Sequence, residues 1–216
     1  MTHSLTSIVA VGLKGEIGVK NSLPWRLKSD LRFFKQTTLN NIVIMGRKTF
    51  NSIGGCLKGR DNIVLSHRAT LFESHEGCEH AHSIAETLYL RKKTPRKEAY
   101  IIGGAQTYTQ FAPFVDRYLI TIVNSRFADA DAFFSEEVIG DDKTWVSRSL
   151  QVERAENGDE FDFTVVELTH RNPEMVREAR RKMIADFEDK NHFLKRKSIF
   201  KNAQPGMKLD QILSIA

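Results

Sequence analysis

Cysteine is scarce in this sequence: Cys56 and Cys78 are the only two among 216 residues. They form no CxxC pair and have no His-x-x-x-His companion, so neither a disulfide framework nor a zinc site is signalled, and no metal is expected. Free thiols are the expectation, and they fit a reducing compartment. Long apolar runs are missing too. Near the N-terminus only Ile8 to Val11 is continuously apolar, with no Lys or Arg before it. That is neither a secretory signal nor a membrane span, so the cytoplasm is the expected location.

The first 170 residues also lack an excess of either charge. Of the 32 Lys and Arg residues 11 follow residue 170, with 6 of the 27 acids, which leaves 21 of each sign before it. The net charge of +5 therefore belongs to residues 171–216. Only there does a nucleic-acid or anionic-membrane partner come into question.

What is present is an alternation of two patterns. Runs rich in β-branched and aliphatic residues lie at 7–11, 41–45, 62–66, 99–103 and 117–123, with helix-compatible stretches around 28–37, 48–53, 83–92 and 106–112. Near-continuous apolar strands between helices predict an α/β domain with a mostly parallel sheet covered on both faces. The alternating run at 161–168 predicts a final antiparallel strand. Beyond Arg171, Met175, Ala179, Met183 and Phe187 recur by fours behind Pro173, which predicts an amphipathic helix. A basic stretch follows, with a break at Pro205 and Gly206. The division is thus a domain over 1–170 and a basic helical extension over 171–216.

In an open α/β sheet ligands bind beyond the carboxyl ends of the strands. One such end carries Gly103 and Gly104, where the backbone can approach a ligand and a helix N-terminus can face a pyrophosphate. Another carries Gly46, Arg47, Lys48 and Thr49, and a third Ser66, His67 and Arg68, whose hydroxyls and guanidinium groups suit a second phosphate. A lone glycine pair is more often a tight turn, and a lone GRKT a solvated helix start. Three such loops in one sheet are harder to read as turns. No Rossmann fingerprint with its acid is present, and the basic loops favour a 2′-phosphorylated cofactor.

Asp30 falls on the apolar stripe of the first helix with Leu27, Leu31 and Phe34 at i, i+3, i+4 and i+7. Two readings stay open. An acid in a first helical turn is favoured by the dipole; alternatively, a buried carboxylate needs donors that a heterocycle with an amino group and a ring N–H would supply.

The stretches IGVKNSLPWRLKSDLRFFK, VIMGRKTFNSIG, LKGRDNIVLS, YIIGGAQTY and LITIV occur in an order and spacing that resembles the dihydrofolate reductase family over residues 5–169. The resemblance implies a single twisted sheet of about eight strands with the last antiparallel, flanked by helices. It also implies reduction of 7,8-dihydrofolate by hydride transfer from NADPH, with antifolates competing. Asp30 matches the family's one active-site acid and Thr121 the threonine that supports it. Leu23, Pro24 and Trp25 match the loop that closes over the nicotinamide, and Tyr108 belongs with both the catalytic and the cofactor groups. Arg60 matches the arginine that takes the α-carboxylate of the folate glutamate. Ile8, Val9, Ala10, Leu31, Phe34, Lys35, Ile53, Leu57 and Ile102 match the remaining substrate positions; ordinary core is the rival reading for the apolar ones.

For NADPH the resemblance implies Ala10, Ile17, Gly18, Asn21, Ser22 and Leu23 on the early strand and loop. It adds Gly46, Arg47, Lys48, Thr49, Leu65, Ser66, His67, Arg68 and His82, and then Ile102, Gly103, Gly104, Ala105, Gln106, Thr107 and Tyr108. In this family the Gly-Gly peptide is cis. Departures are Cys56, where many bacterial members have proline, Gln106 in place of a basic residue, and His67 in place of a hydroxyl.

The extension lies outside the resemblance. One reading packs Met175, Met183 and Phe187 on the body or on a partner chain, such as the thymidylate-forming enzyme or a second copy; others are nucleic-acid contact through residues 195–197 and a partly disordered tail. For the body the rivals are a non-catalytic structural or binding protein that has kept the fold, and a reductase of a riboflavin precursor. Asp30 together with Trp25 and Arg60 argues against both.

Overall fold

Residues 42–45 show why the strands are apolar without interruption. Ile42 and Ile44 pack to one side with Leu5, Val9 and Ile63, while Val43 and Met45 pack to the other with Ile8, Val64 and Tyr100. Because successive side chains point to opposite faces, both faces must be hydrophobic when both are covered.

The computed structural model describes residues 4–67, 77–135, 138, 141–156 and 158–202, with side chains to residue 192. In chain order its elements are β1 (Leu5–Val11), β2 (Glu16–Gly18), α1 (Lys28–Thr38), β3 (Ile42–Gly46), α2 (Arg47–Ile53), β4 (Asp61–Leu65), β5 (Cys78–Ala81), α3 (Ile84–Lys92), β6 (Ala99–Ile101), α4 (Ala105–Phe111), β7 (Arg117–Val123), β8 (Ala132–Phe133), β9 (Trp145–Glu153), β10 (Phe163–His170) and α5 (Pro173–Asn202). Eight strands form one sheet in the order β5-β4-β3-β6-β1-β7-β10-β9, and β2 pairs with β8 apart from it. From β5 to β7 all neighbours are parallel; β10 is antiparallel to both β7 and β9. The expected α/β architecture is present.

Four strands escape the sequence patterns. β2 and β8 are too short to show a period, β5 is the polar run Cys-Glu-His-Ala, and β9 is an edge strand exposed along most of its length. The cysteines also correct the sequence reading: Cys56 and Cys78 are disulfide-bonded, with Cα atoms 6.0 Å apart, within the reach of such a bridge. The turn after α2 and the start of β5 bring together residues remote in sequence. With no free thiol among the described residues, the thiol argument for a reducing compartment falls away. No described helix is long and apolar enough to cross a membrane.

The helix predicted behind Pro173 is α5, and it packs on the body. Its stripe is rotated from the spacing by fours, because steps of four overshoot a turn of 3.6 residues by about 40° each. Met175 consequently lies exposed, whereas Val176 is buried and Ala179, Met183 and Ile184 pack on the main core. Phe187 meets the Tyr89 ring of α3 at 5.4 Å. The side chains of residues 195–197 and the break at Pro205 and Gly206 lie outside what is described.

A charged pair sits beneath this helix. Arg180 and Asp116, each nearly fully buried, meet at 3.0 Å. Asp116 also accepts the backbone N–H of Leu5 at 2.6 Å, and Arg180 donates to the carbonyl of Phe114. Removing Arg180 takes the fully buried cation from Asp116 and leaves that carboxylate only the half-buried Arg177 at 3.3 Å and the Leu5 N–H. Arg180→Met should therefore lower stability by about 3 kcal/mol, seen as a lower urea midpoint at unchanged m-value. A midpoint equal to the parent's would show that the pair does not brace the fold.

Candidate active site

The carboxyl edge of the sheet gathers two sets of residues that are remote in sequence. The first surrounds Asp30. Helix α1 begins after Leu27, which is extended and offers no side-chain cap. Its first free donors are met from the β9–β10 loop, where the Asp159 carboxylate accepts the Ser29 N–H at 2.9 Å. Arg26 is pinned on the same loop: its N–H donates to the Glu160 carboxylate at 2.8 Å, and the Glu160 N–H donates to the Arg26 carbonyl at 3.1 Å. Below the segment, Trp25 and Leu27 pack with Val123, Phe163 and Val165.

That placement buries Asp30 against β7, where the Thr121 hydroxyl donates to its carboxylate at 2.6 Å. Burial pushes the Asp30 carboxyl above its ordinary range, the Thr121 hydrogen bond opposes this, and the Asp159 charge adds to it. The stripe expected around Asp30 is only partly buried. Leu27 is enclosed and Phe34 half-buried, whereas Leu31 is 52% exposed.

The wall beside Asp30 comes from β1 and its neighbours. Ile8 packs with Phe50, Ile102 and Leu119, and Phe34 and Leu57 lie against the same cluster; Ala10 adjoins the cluster around Trp25. Val9 points to the opposite face with Leu5 and Val11, so only its backbone can meet a ligand on Asp30's side. Ile53 and Leu23 are exposed at 42% and 50%, and Lys35 is exposed on α1. Arg60 lies over the Phe34 ring, at 5.9 Å, and donates to the Lys58 carbonyl and the Thr38 hydroxyl. A cavity of about 490 Å³ opens here between Cys56, Lys58, Arg60 and Gly77.

The second set lies where β3 and β6 end. The Gly46 N–H donates to the Gly103 carbonyl at 2.8 Å, and the Gly103–Gly104 peptide is cis, as the resemblance implied. A Cβ on Gly46 would stand 2.6 Å from the Thr107 hydroxyl, too close to fit without a shift, and one on Gly104 would stand 3.2 Å from that of Thr49, a tight contact. Helices α2 and α4 both start at this point, each after a glycine without a side-chain cap. Arg47 and Thr49 are half-buried; Lys48, Gln106 and His67 are exposed, and Ser66 and Leu65 are buried at the end of β4. Ala105 begins α4, and His82 is exposed beyond β5. Arg68 lies outside the described residues.

Tyr108 joins the two sets. Its hydroxyl donates to the Ile8 carbonyl at 2.9 Å, its ring packs against Gly103, and burial with the nearby Asp30 charge keeps the phenol protonated. The loop after β2 reaches over α2. Val19 and Ser22 exchange backbone hydrogen bonds around a turn with positive φ at Lys20 and Asn21, and the Ser52 hydroxyl donates to the Asn21 carbonyl at 2.5 Å. Ile17 and Gly18 lead into that turn. The Trp25 indole N–H is buried without a partner among the described residues. Asp159, Glu160 and Ser52 were not readable as site residues: their role comes from tertiary contacts, and each is an ordinary polar loop or helix residue in sequence.

A covered α/β sheet thus carries at its carboxyl edge a buried acid bonded to Thr121 and, alongside, the glycine-started helices at the ends of β3 and β6. Comparison with known proteins gives the family. The dihydrofolate reductase family model matches residues 4–170. The chain is 34% identical over 163 residues to the dihydrofolate reductase of Staphylococcus haemolyticus, covering 76% of this chain and 95% of that protein. It is 41% identical over 136 residues to that of Haemophilus influenzae, covering 63% and 80%. The solved dihydrofolate reductase of Enterococcus faecalis, complexed with NADP(H) and RAB-propyl, superposes with a TM-score of 0.69 at 26% identity, covering 79% of this chain and 98% of that one. The chain belongs to the dihydrofolate reductase family.

The raised Asp30 carboxyl has a consequence for stability. The folded state holds this proton more tightly than the unfolded chain, so stability falls as pH rises from the ordinary value of 3.8 through the raised one. Asp30→Asn removes that loss. Its urea midpoint should exceed the parent's at neutral pH, with the difference closing as pH falls toward 3.8. A difference independent of pH would show that the Asp30 carboxyl is not raised.

Proposed function

We propose that this chain reduces 7,8-dihydrofolate to 5,6,7,8-tetrahydrofolate with NADPH, and so supports one-carbon metabolism and thymidylate formation. The observation that carries the reading is the buried Asp30 carboxylate, whose one hydrogen bond among the described residues comes from Thr121. A pterin presents an amino group and a ring N–H side by side, the donors such a carboxylate lacks. When bound, NADPH supplies the hydride that goes to the pterin carbon, while the ring nitrogen beside it takes a proton.

Asp30 anchors the ring and, through its negative charge, favours the protonated nitrogen. Its effect on that nitrogen runs through water or ring tautomers rather than by direct proton transfer. Thr121 fixes the carboxylate orientation. Ile8, Ala10, Phe34 and Ile102 exclude water from the ring, with Leu31 and Ile53 completing the wall from their exposed positions, and Leu23 closes from the loop pinned by Ser52. Bare backbone at Gly46, Gly103 and Gly104, where β3 and β6 end, would let the cofactor approach closely. Arg47, Thr49, Ser66 and His67 supply the polar groups that phosphates require. Arg60 takes the glutamate carboxylate and Tyr108 holds the floor of the site. The extension serves this body as a brace, since its apolar stripe is already occupied by it.

The test follows NADPH oxidation with dihydrofolate. Wild type should turn over and be inhibited competitively by antifolates; no turnover would overturn the reading. Asp30→Asn should lose about 100-fold or more in kcat at neutral pH. Arg60→Ala should raise KM for dihydrofolate by about 10- to 100-fold with little change in kcat, the mark of binding lost equally from ground and transition states.

A further inference from the structure

We propose that Asp159, on the loop between β9 and β10, is a positioning residue for Asp30, holding the first turn of α1 from outside the helix and setting the charge environment of its carboxylate. The inference rests on the proposed reduction of dihydrofolate for its kinetic part only.

A helix leaves its first N–H groups without partners, and these are usually met by a Ser, Thr, Asp or Asn at the preceding position. Here that position is Leu27, which has no side-chain acceptor. Leucine is required there for another reason: its side chain is 2% exposed and fills the cluster with Trp25 and Phe163. The cap is therefore supplied from a distance. Asp159 is 7% exposed, and its carboxylate accepts the N–H of Ser29, the residue immediately before Asp30. Burial pushes Asp159 up, but the Ser29 N–H and hydroxyl, the Lys28 N–H and the Arg32 charge outweigh it, so it stays ionised. It thus places a negative charge near the carboxylate that anchors the ring.

The groups around the two acids define what a substitution would change. Asp30 is faced by the Thr121 hydroxyl from β7 and the Tyr108 phenol from α4, and Asp159 by Lys28 and Arg32 of α1. Glu160 is occupied by the Arg26 N–H. Asp159 is the carboxylate whose charge adds to the upward push of burial on Asp30. Its removal should lower the Asp30 midpoint, because a like charge nearby disfavours ionisation.

The test compares the full chain with Asp159→Asn, which keeps an acceptor for the Ser29 N–H but loses the charge, and Asp159→Ala, which loses both. The Asp30 titration is read from its side-chain carboxyl carbon by NMR, and kcat is read across pH with NADPH and dihydrofolate. In Asp159→Asn the Asp30 midpoint should move to lower pH, with the kinetic midpoint moving in the same direction and the kcat plateau within about twofold of wild type. Asp159→Ala should show the same direction of shift together with about a tenfold loss in kcat, rescued by Asn at that position. An unmoved Asp30 midpoint in Asp159→Asn would overturn the proposal, as would a lower melting temperature in Asp159→Ala with kcat and midpoint unchanged, which is the behaviour of a purely structural cap. If Asp159→Ala does not fold, the Asn variant decides by the NMR midpoint. Absence of turnover by wild type would refute the proposed function and leave the NMR result still to judge Asp159.

Discussion

A carboxylate shielded from water must be held by donors and by the geometry around it, and this requirement organises one end of the molecule. Asp30 can lie against Thr121 only if α1 crosses β7 at the right height. That height is set from below by Leu27 and Trp25 in their cluster, and from the side by residues 159 and 160 gripping residues 26 and 29. Chemistry and packing therefore share the same few contacts. An unpaired buried charge would be costly in an ordinary core. Here the Asp30 carboxylate is 8% exposed, one oxygen bonded to Thr121.

The other end of the cleft is governed by backbone rather than side chains. Gly46 and Gly103 join β3 to β6 just where both strands stop, and the helices that follow diverge from that point. A methyl group at Gly46 would strike Thr107 and one at Gly104 would crowd Thr49, so both positions favour glycine. Tyr108 links the two ends, its hydroxyl donating to the Ile8 carbonyl while its ring lies against Gly103.

Much of this was legible in the sequence because periodicity and burial coincide. The strands that form the sheet interior were visible as uninterrupted apolar runs, and β7 was located to the residue. Asp30, Thr121 and the glycines were found because family motifs mark them. What was not legible was set by contacts between distant segments. The disulfide joins two residues whose approach depends on the turn after α2 and on β5, which has no apolar pattern. Strand β9 reads as loop because its outer positions face solvent. The cap of α1 was invisible because it lies in another part of the chain. In α5, counting by fours selected Met175, while the true turn of the helix selects Val176.

The contact between Asp116 and both Leu5 and Arg180 gives the chain an unusual order of completion. Strand β1 is made first, yet the N–H at its start is held by a carboxylate whose buried guanidinium partner comes from the final helix. During synthesis, Asp116 leaves the ribosome before Arg180 by an interval on the order of several seconds. Over that interval the sheet can assemble around β1, but the Asp116 charge stays open to water on the face that α5 will cover. The last contact to form at the start of β1 is thus the one that α5 brings.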